Sequence, residues 1–207
     1  MRPIALHAIS ADGEYIVIGT GTGSTSTDID RVRLFSKSSS TPLWSYETGD
    51  WVRSVSISAD GKYIIAAAGE YVYLLDSNNN SLWNFEAGDE VYAVKISADG
   101  EYILAGSTNF NSYLFDKDSS TPLWSYTTGD NVDAIAISAD GEYIAATAEN
   151  DKLYLFDKDS GTPLWSFSGG SHWSTAIAIS ADGEYIVAGG YPNDKKVYLF
   201  DKDSSTP

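Results

Sequence analysis

Ser138-Ala139-Asp140-Gly141-Glu142-Tyr143-Ile144 decides the fold of this chain, because the same phrase returns four more times, once with Lys62 in place of the glutamate. Its glycine stands at Gly13, Gly61, Gly100, Gly141 and Gly183, in steps of 48, 39, 41 and 42 residues. A period between about 20 and about 50 residues marks a repeat architecture, in which each unit buries its apolar face against its neighbours. Serine first and glycine last fit a type I turn whose glycine takes positive φ at a bulge, so the phrase is the tip of a β-hairpin.

The flanking residues supply the strands. Before the turn, Val132-Asp133-Ala134-Ile135-Ala136-Ile137 sets small residues on one face against large apolar ones on the other, which suits a crowded first strand. After it, Tyr143-Ile144-Ala145-Ala146 forms the second strand. The third, as in Val72-Tyr73-Leu74-Leu75-Asp76, is apolar on both faces and is therefore covered on both. A polar turn, Asp116-Lys117-Asp118-Ser119-Ser120-Thr121-Pro122, then leads to Leu123-Trp124-Ser125-Tyr126. Proline at its start places this fourth strand at a sheet edge. No segment holds a capped apolar 3.6-residue period, and β-branched and aromatic residues dominate the apolar runs.

The expectation is an all-β chain, a β-propeller with five blade repeats of about 41 residues and four antiparallel strands per blade. Residues 1–207 read as one propeller, with blade units at roughly 1–48, 49–87, 88–128, 129–169 and 170–207. The last unit reaches Thr206-Pro207 where its outer strand would follow, so the fifth blade lacks that strand. The chain is then either a piece of a longer array, or it leaves the apolar edge Val197-Tyr198-Leu199-Phe200 for another chain to pair with.

Two phrases resemble known repeats. An aspartate lies eight residues before a tryptophan from Asp116 to Trp124 and from Asp157 to Trp165; Ser36 to Trp44 keeps the spacing without the acid, and Asp76 to Trp83 is one residue shorter. This resembles quinoprotein (PQQ)-like propellers, where the tryptophan docks between blades. The Ser-Ala-Asp-Gly turn resembles the Ser-Pro-Asp-Gly turn of WD40-like repeats, although no Trp-Asp dipeptide and no Gly-His pair occurs. The resemblance implies a propeller. Quinoprotein enzymes usually have eight blades and commonly carry an adjacent-cysteine disulfide, whereas this chain has five copies and no cysteine. The likeness is therefore architectural, since one fold hosts many functions.

Composition narrows the function. Thirteen Lys and Arg against 29 Asp and Glu give a net charge of −16, which argues against nucleic acid as a partner. The absence of cysteine removes disulfides, thiolate metal sites and cysteine nucleophiles. Of the two histidines, neither His7 nor His172 has a Ser, Cys or Glu partner at a recognisable spacing, so no catalytic residue is expected. No apolar run approaches the ~18 residues of a membrane span, and the opening residues lack a signal-peptide pattern. Gly19-Thr20-Gly21-Thr22-Gly23 precedes no helix and matches no phosphate-binding fingerprint.

Comparison of the five copies locates a candidate binding face. The turns joining strands one to two and three to four are nearly constant. Variation falls on the opposite face, in residues 20–29, 69–71, 107–111, 149–152 and 190–196 and at the entries to the first strands. Trp51, Arg53, Glu90, Tyr92, Phe110, Asn131, Asp133, His172, Trp173 and Tyr191 are the candidate contacts there, rigid aromatics beside a few charges. The expected function is a non-catalytic scaffold that recognises a protein or a glycan. The alternatives are a quinoprotein-like or lyase-type enzyme with its site at the channel mouth, and a structural module that assembles through the open edge of blade five. Trp44, Trp83, Trp124 and Trp165 read as core packing rather than a sugar ladder. No cofactor is expected. Asp116, Asp157 and Asp201 begin turns like the front half of a calcium loop but lack its distal glutamate, so calcium is the one ion that the sequence admits. Acidity, abundant Ser and Thr, and the sequon Asn79-Asn80-Ser81 fit an extracellular or cell-surface location; the composition fits the cytoplasm as well.

Overall fold

Each Ser-Ala-Asp-Gly turn is closed by its own side chains. The Ser138 hydroxyl donates to the Asp140 carboxylate at 2.6 Å and accepts the Tyr143 amide at 3.0 Å, while Gly141 N–H donates to the Ser138 carbonyl. Gly141 sits at φ +76° and its four counterparts between +70° and +81°, the left-handed region that favours glycine. The computed structural model describes residues 4–21, 30–168, 173–190 and 196–207, and every structural statement concerns these.

Five antiparallel sheets follow, with no helix among the described residues. The first holds β1 (Ile4–Ile9), β2 (Tyr15–Gly21), β3 (Arg31–Ser36) and β4 (Trp44–Glu47). The second holds β5 (Val52–Ile57), β6 (Tyr63–Ala68), β7 (Tyr71–Asp76) and β8 (Ser81–Glu86). The third holds β9 (Val91–Ile96), β10 (Tyr102–Ser107), β11 (Asn111–Asp116) and β12 (Trp124–Thr127). The fourth holds β13 (Val132–Ile137), β14 (Tyr143–Ala148), β15 (Lys152–Asp157) and β16 (Trp165–Ser168). The fifth holds β17 (Trp173–Ile179), β18 (Tyr185–Gly190) and β19 (Val197–Asp201). Strand order within each sheet is the order of the chain, and the sheets have 4, 4, 4, 4 and 3 strands. This arrangement is compatible with propeller blades.

Proline sets the length of the fourth strand. It removes a ladder donor, so pairing begins at Trp44, Trp124 and Trp165, just beyond Pro42, Pro122 and Pro163. The second sheet has Ser81 at the proline position, and there the ladder extends back to pair Ser81 with Leu75.

Between successive sheets lie four apolar cores. One face of each sheet packs on the opposite face of the next, as Val17, Val32 and Leu34 do on Val52, Val55 and Ile64. Fully burying a side chain such as Phe115 or Phe156 contributes about 2 kcal/mol, so these joints dominate the stability. Three further contacts recur at each joint. A tyrosine ring covers the next turn glycine, with Tyr15 over Gly61, Tyr63 over Gly100, Tyr102 over Gly141 and Tyr143 over Gly183. An indole N–H donates to the next sheet, from Trp44 to the Ser77 carbonyl, Trp83 to Lys117, Trp124 to Lys158 and Trp165 to Lys202, all at 2.7–2.8 Å. Finally, backbone bonds run from Ala11 N–H to Ala59, Ala59 to Ala98, Ala98 to Ala139 and Ala139 to Ala181. The alanines and the preceding isoleucines, Ile9, Ile57, Ile96, Ile137 and Ile179, surround a shared cavity of about 380 Å³ at the turn end of the molecule.

Candidate functional site

The loop face is built on the linkers between sheets. Thr48-Gly49-Asp50, Ala87-Gly88-Asp89 and Thr128-Gly129-Asp130 each turn through a positive-φ glycine. A tyrosine from the third strand lies beneath each linker. Tyr73 donates its hydroxyl to the Thr48 carbonyl at 3.0 Å, and Tyr154 donates to Thr128 at 2.9 Å. In the third and fourth sheets an asparagine from the loop between strands two and three adds a second donor. Asn109 Nδ2 reaches the Ala87 carbonyl and the Tyr113 hydroxyl, and Asn150 Nδ2 reaches the Thr128 carbonyl at 2.6 Å.

The second sheet has no such asparagine. Its loop is Gly69-Glu70, one residue shorter than Thr108-Asn109-Phe110 or Glu149-Asn150-Asp151. At the corresponding place a pocket of about 400 Å³ opens, with Asp50, Glu70, Asp89 and Glu90 around it and Tyr71 and Tyr73 in its wall. Burial pushes the Tyr73 phenol up to about 12, so it remains a neutral donor. The neighbouring Glu86 charge, ahead of desolvation, raises Tyr71 as well. Among the described residues no three His, Cys, Asp or Glu side chains stand close enough to hold a metal ion, so these carboxylates surround a space larger than one ion.

Beside the pocket, four of the expected contacts come together. Arg53 Nη2 pairs with Glu90 Oε1 at 2.6 Å, and its guanidinium lies 4.6 Å from the Trp51 ring and 5.0 Å from the Tyr92 ring. Trp51 is wedged against the first sheet, since a Cβ on Gly21 would fall 2.0 Å from Trp51 Cδ1. Its indole N–H is buried and meets no acceptor among the described residues. A stacked guanidinium and close packing on Gly21 leave Trp51 little free ring surface for a flat ligand.

The remaining expected residues are distributed around the same face. Phe110 is 43 % exposed and held at φ +70°, a conformation rare for a bulky side chain. Asn131 Nδ2 donates to Glu149 Oε2 at 2.9 Å, and Asp133 lies two residues further along, half-buried on β13. His172, Tyr191 and the Trp173 side chain lie outside the described residues, as do most of the loops 20–29 and 190–196. On β19, Phe200 is buried and Tyr198 half-buried, while Val197 and Leu199 are exposed.

Asp50, Glu70, Tyr71, Tyr73 and Asp89 were not among the expected contacts. The signal that finds them is the missing residue in the 69–70 loop. The isoleucine and alanine lining of the turn-end cavity presents no carboxylate or imidazole side chain. In the Asp-Lys-Asp turns, Asp116 accepts the Asp118 amide at 2.8 Å, and Lys117 lies between Glu101 and Asp118 at 3.0 and 3.1 Å.

Residues 44–198 match the model described as Family of unknown function (DUF5711). The chain belongs to the DUF5711 family. No curated protein matches it. The DUF5711 match contains the whole pocket lining, the Arg53 cluster and Phe110.

Proposed function

We propose that this chain is an arc of β-propeller blades serving as a non-catalytic interaction module, and that its loop face takes a basic segment of a protein partner. One observation carries this reading: the pocket beside the short 69–70 loop is lined by the carboxylates of Asp50, Glu70 and Asp89, together with Glu90, which Arg53 already pairs. Where Asn150 supplies an amide N–H to the linker carbonyl in the fourth sheet, the second sheet leaves that position to a ligand donor. A lysine ammonium or an arginine guanidinium matches both the missing donor and the surrounding charge.

The expectation covered a protein or a glycan, and the protein is favoured by Arg53. Its guanidinium occupies ring faces of Trp51 and Tyr92 that a sugar would stack on. Phe110, exposed on the same loop face and bonded through its carbonyl to Thr128 of the following linker, supplies an apolar contact of the kind common in protein interfaces. The apolar lining of the turn-end cavity favours a non-catalytic role over a cofactor or lyase enzyme.

Fluorescence titration with Lys/Arg-rich peptides at low and high salt tests the proposal. Binding that weakens with salt supports it. Equal binding of acidic peptides, or preference for neutral oligosaccharides, would contradict it.

A further inference from the structure

Lys95 breaks the pattern of the first strands. It stands two residues before its turn serine, where the other four copies hold Ala8, Ser56, Ala136 and Ala178. The register confirms that these positions are equivalent: Lys95 pairs with Leu104 as Ala8 does with Val17, Ser56 with Ile65, Ala136 with Ala145 and Ala178 with Val187. Ser56 and Ala136 are buried there, whereas Lys95 is exposed. A position that otherwise takes only small side chains carries a long cationic one in the third sheet.

That side chain lines a cavity of about 210 Å³, together with Ala136 of the fourth sheet and Ile177 and Ala178 of the fifth. The cavity shares Ile96, Ile137 and Ile179 with the turn-end cavity of about 380 Å³, so the two adjoin. Isoleucine and alanine make most of both walls, and among the described residues Lys95 is the one charged side chain in either lining. The other lysines on the turn side are paired with carboxylates: Lys37 with Glu14, Lys62 with Asp60, Lys117 with Glu101, Lys158 with Glu142 and Lys202 with Glu184. Lys95 has no ion-pair or hydrogen-bond partner among the described residues, in a chain whose net charge is −16.

We propose that the two adjoining cavities hold a small aliphatic carboxylate, its anionic head on the Lys95 ammonium and its hydrocarbon chain along the isoleucines. Apolar walls with one orienting polar group are the usual form of a small-molecule site, and 380 Å³ falls within the common range of about 300–1,000 Å³. An ammonium offers three donors and no acceptor, so the head group it takes is an anion. A single cation selects one negative charge. The absence of an aromatic ring from both linings favours an aliphatic chain over a flat body. This site lies at the turn end, away from the loop-face pocket, and does not rest on the peptide-binding reading.

Calorimetric titration of octanoate, octan-1-ol and octylammonium into the full chain tests the proposal. Octanoate is expected to bind at least about tenfold more tightly than either of the others. Lys95→Met keeps an apolar stem and loses the charge, and is expected to weaken octanoate at least about tenfold while leaving octan-1-ol unchanged. Lys95→Ala introduces the residue already present at Ala8, Ala136 and Ala178, so it is expected to keep the melting temperature and to lose the preference for octanoate over octan-1-ol. No octanoate binding by the parent chain overturns the proposal. So does octanoate affinity that is equal in the parent and both variants, or octylammonium that binds as tightly as octanoate.

Discussion

The ring of Tyr102 lies against Gly141, so close that a Cβ there would stand 2.3 Å from Tyr102 Cδ2. Gly141 therefore carries two demands, a positive φ and an empty side-chain position. Gly13 carries only the first, having φ +70° and open space around it. Gly13→Ala is expected to cost about 1 kcal/mol from backbone strain alone. Gly141→Ala is expected to cost about 2–4 kcal/mol, because the Tyr102 ring must also leave its joint. Urea denaturation of the two variants at equal protein concentration measures the difference; equal losses would mean that the tyrosine–glycine contact contributes nothing.

Trp124 stacks on Phe156, with ring centroids 5.2 Å apart, and donates its indole N–H to the Lys158 carbonyl at 2.8 Å. Trp124→Phe keeps most of the packing and loses the bond, an expected loss of about 1 kcal/mol. Trp124→Ala removes both and is expected to cost about 3 kcal/mol. Chemical denaturation curves for both variants check this order, and a neutral alanine variant would remove the tryptophans from the joints.

Phe110 holds a left-handed backbone conformation at an exposed position. Phe110→Gly is expected to stabilise the chain by up to about 1 kcal/mol, since glycine reaches this φ without strain. Under the proposed function the same variant weakens peptide binding. Thermal melting and titration on one preparation read both effects, and the account expects them to have opposite signs.

The turn carboxylates give an acid limb to the stability. The Ser138 hydroxyl, ahead of the Glu142 amide, holds Asp140 below the usual carboxylate range, and Ser10 and Ser180 do the same for Asp12 and Asp182. A carboxylate whose folded value is depressed favours the folded state above its unfolded value of 3.8 and loses that contribution as pH falls through the folded value. Stability is therefore expected to decline from about pH 4 downward. Asp140→Asn is expected to flatten that decline and to lower stability at neutral pH. Denaturant midpoints between neutral and strongly acidic pH provide the check.

Much of the fold was legible because the turn phrase states its own geometry. Serine, aspartate and glycine at Ser138, Asp140 and Gly141 can close only a tight hairpin, and alternation on either side gives the strands. The proline rule also placed the fourth strand, and the absence of proline before Ser81 accounts for its extension there. The candidate site was legible only in part. Arg53, Glu90 and Tyr92 vary between copies and so drew notice, but their convergence depends on how the second and third sheets pack. The pocket was missed because it arises from a shorter loop rather than from a distinctive residue. Comparing the length of Gly69-Glu70 with Glu149-Asn150-Asp151 would have exposed it. Local irregularities, such as the register shifts between Val52 and Ser54 and between Val132 and Ala134, have no plain sequence signature.

The central claim is that the open pocket of the second sheet receives a basic group, and a loop graft tests it most directly. Replacing Gly69-Glu70 with the Glu-Asn-Asp loop of residues 149–151 brings an asparagine to the Thr48 linker, as Asn150 already reaches Thr128. Calorimetric titration of a Lys/Arg-rich peptide into the parent and grafted chains is the measurement. The account predicts salt-sensitive binding by the parent and at least about tenfold weaker binding by the graft, with the melting temperature retained. Equal affinity in the two chains, or no binding by the parent, would contradict it.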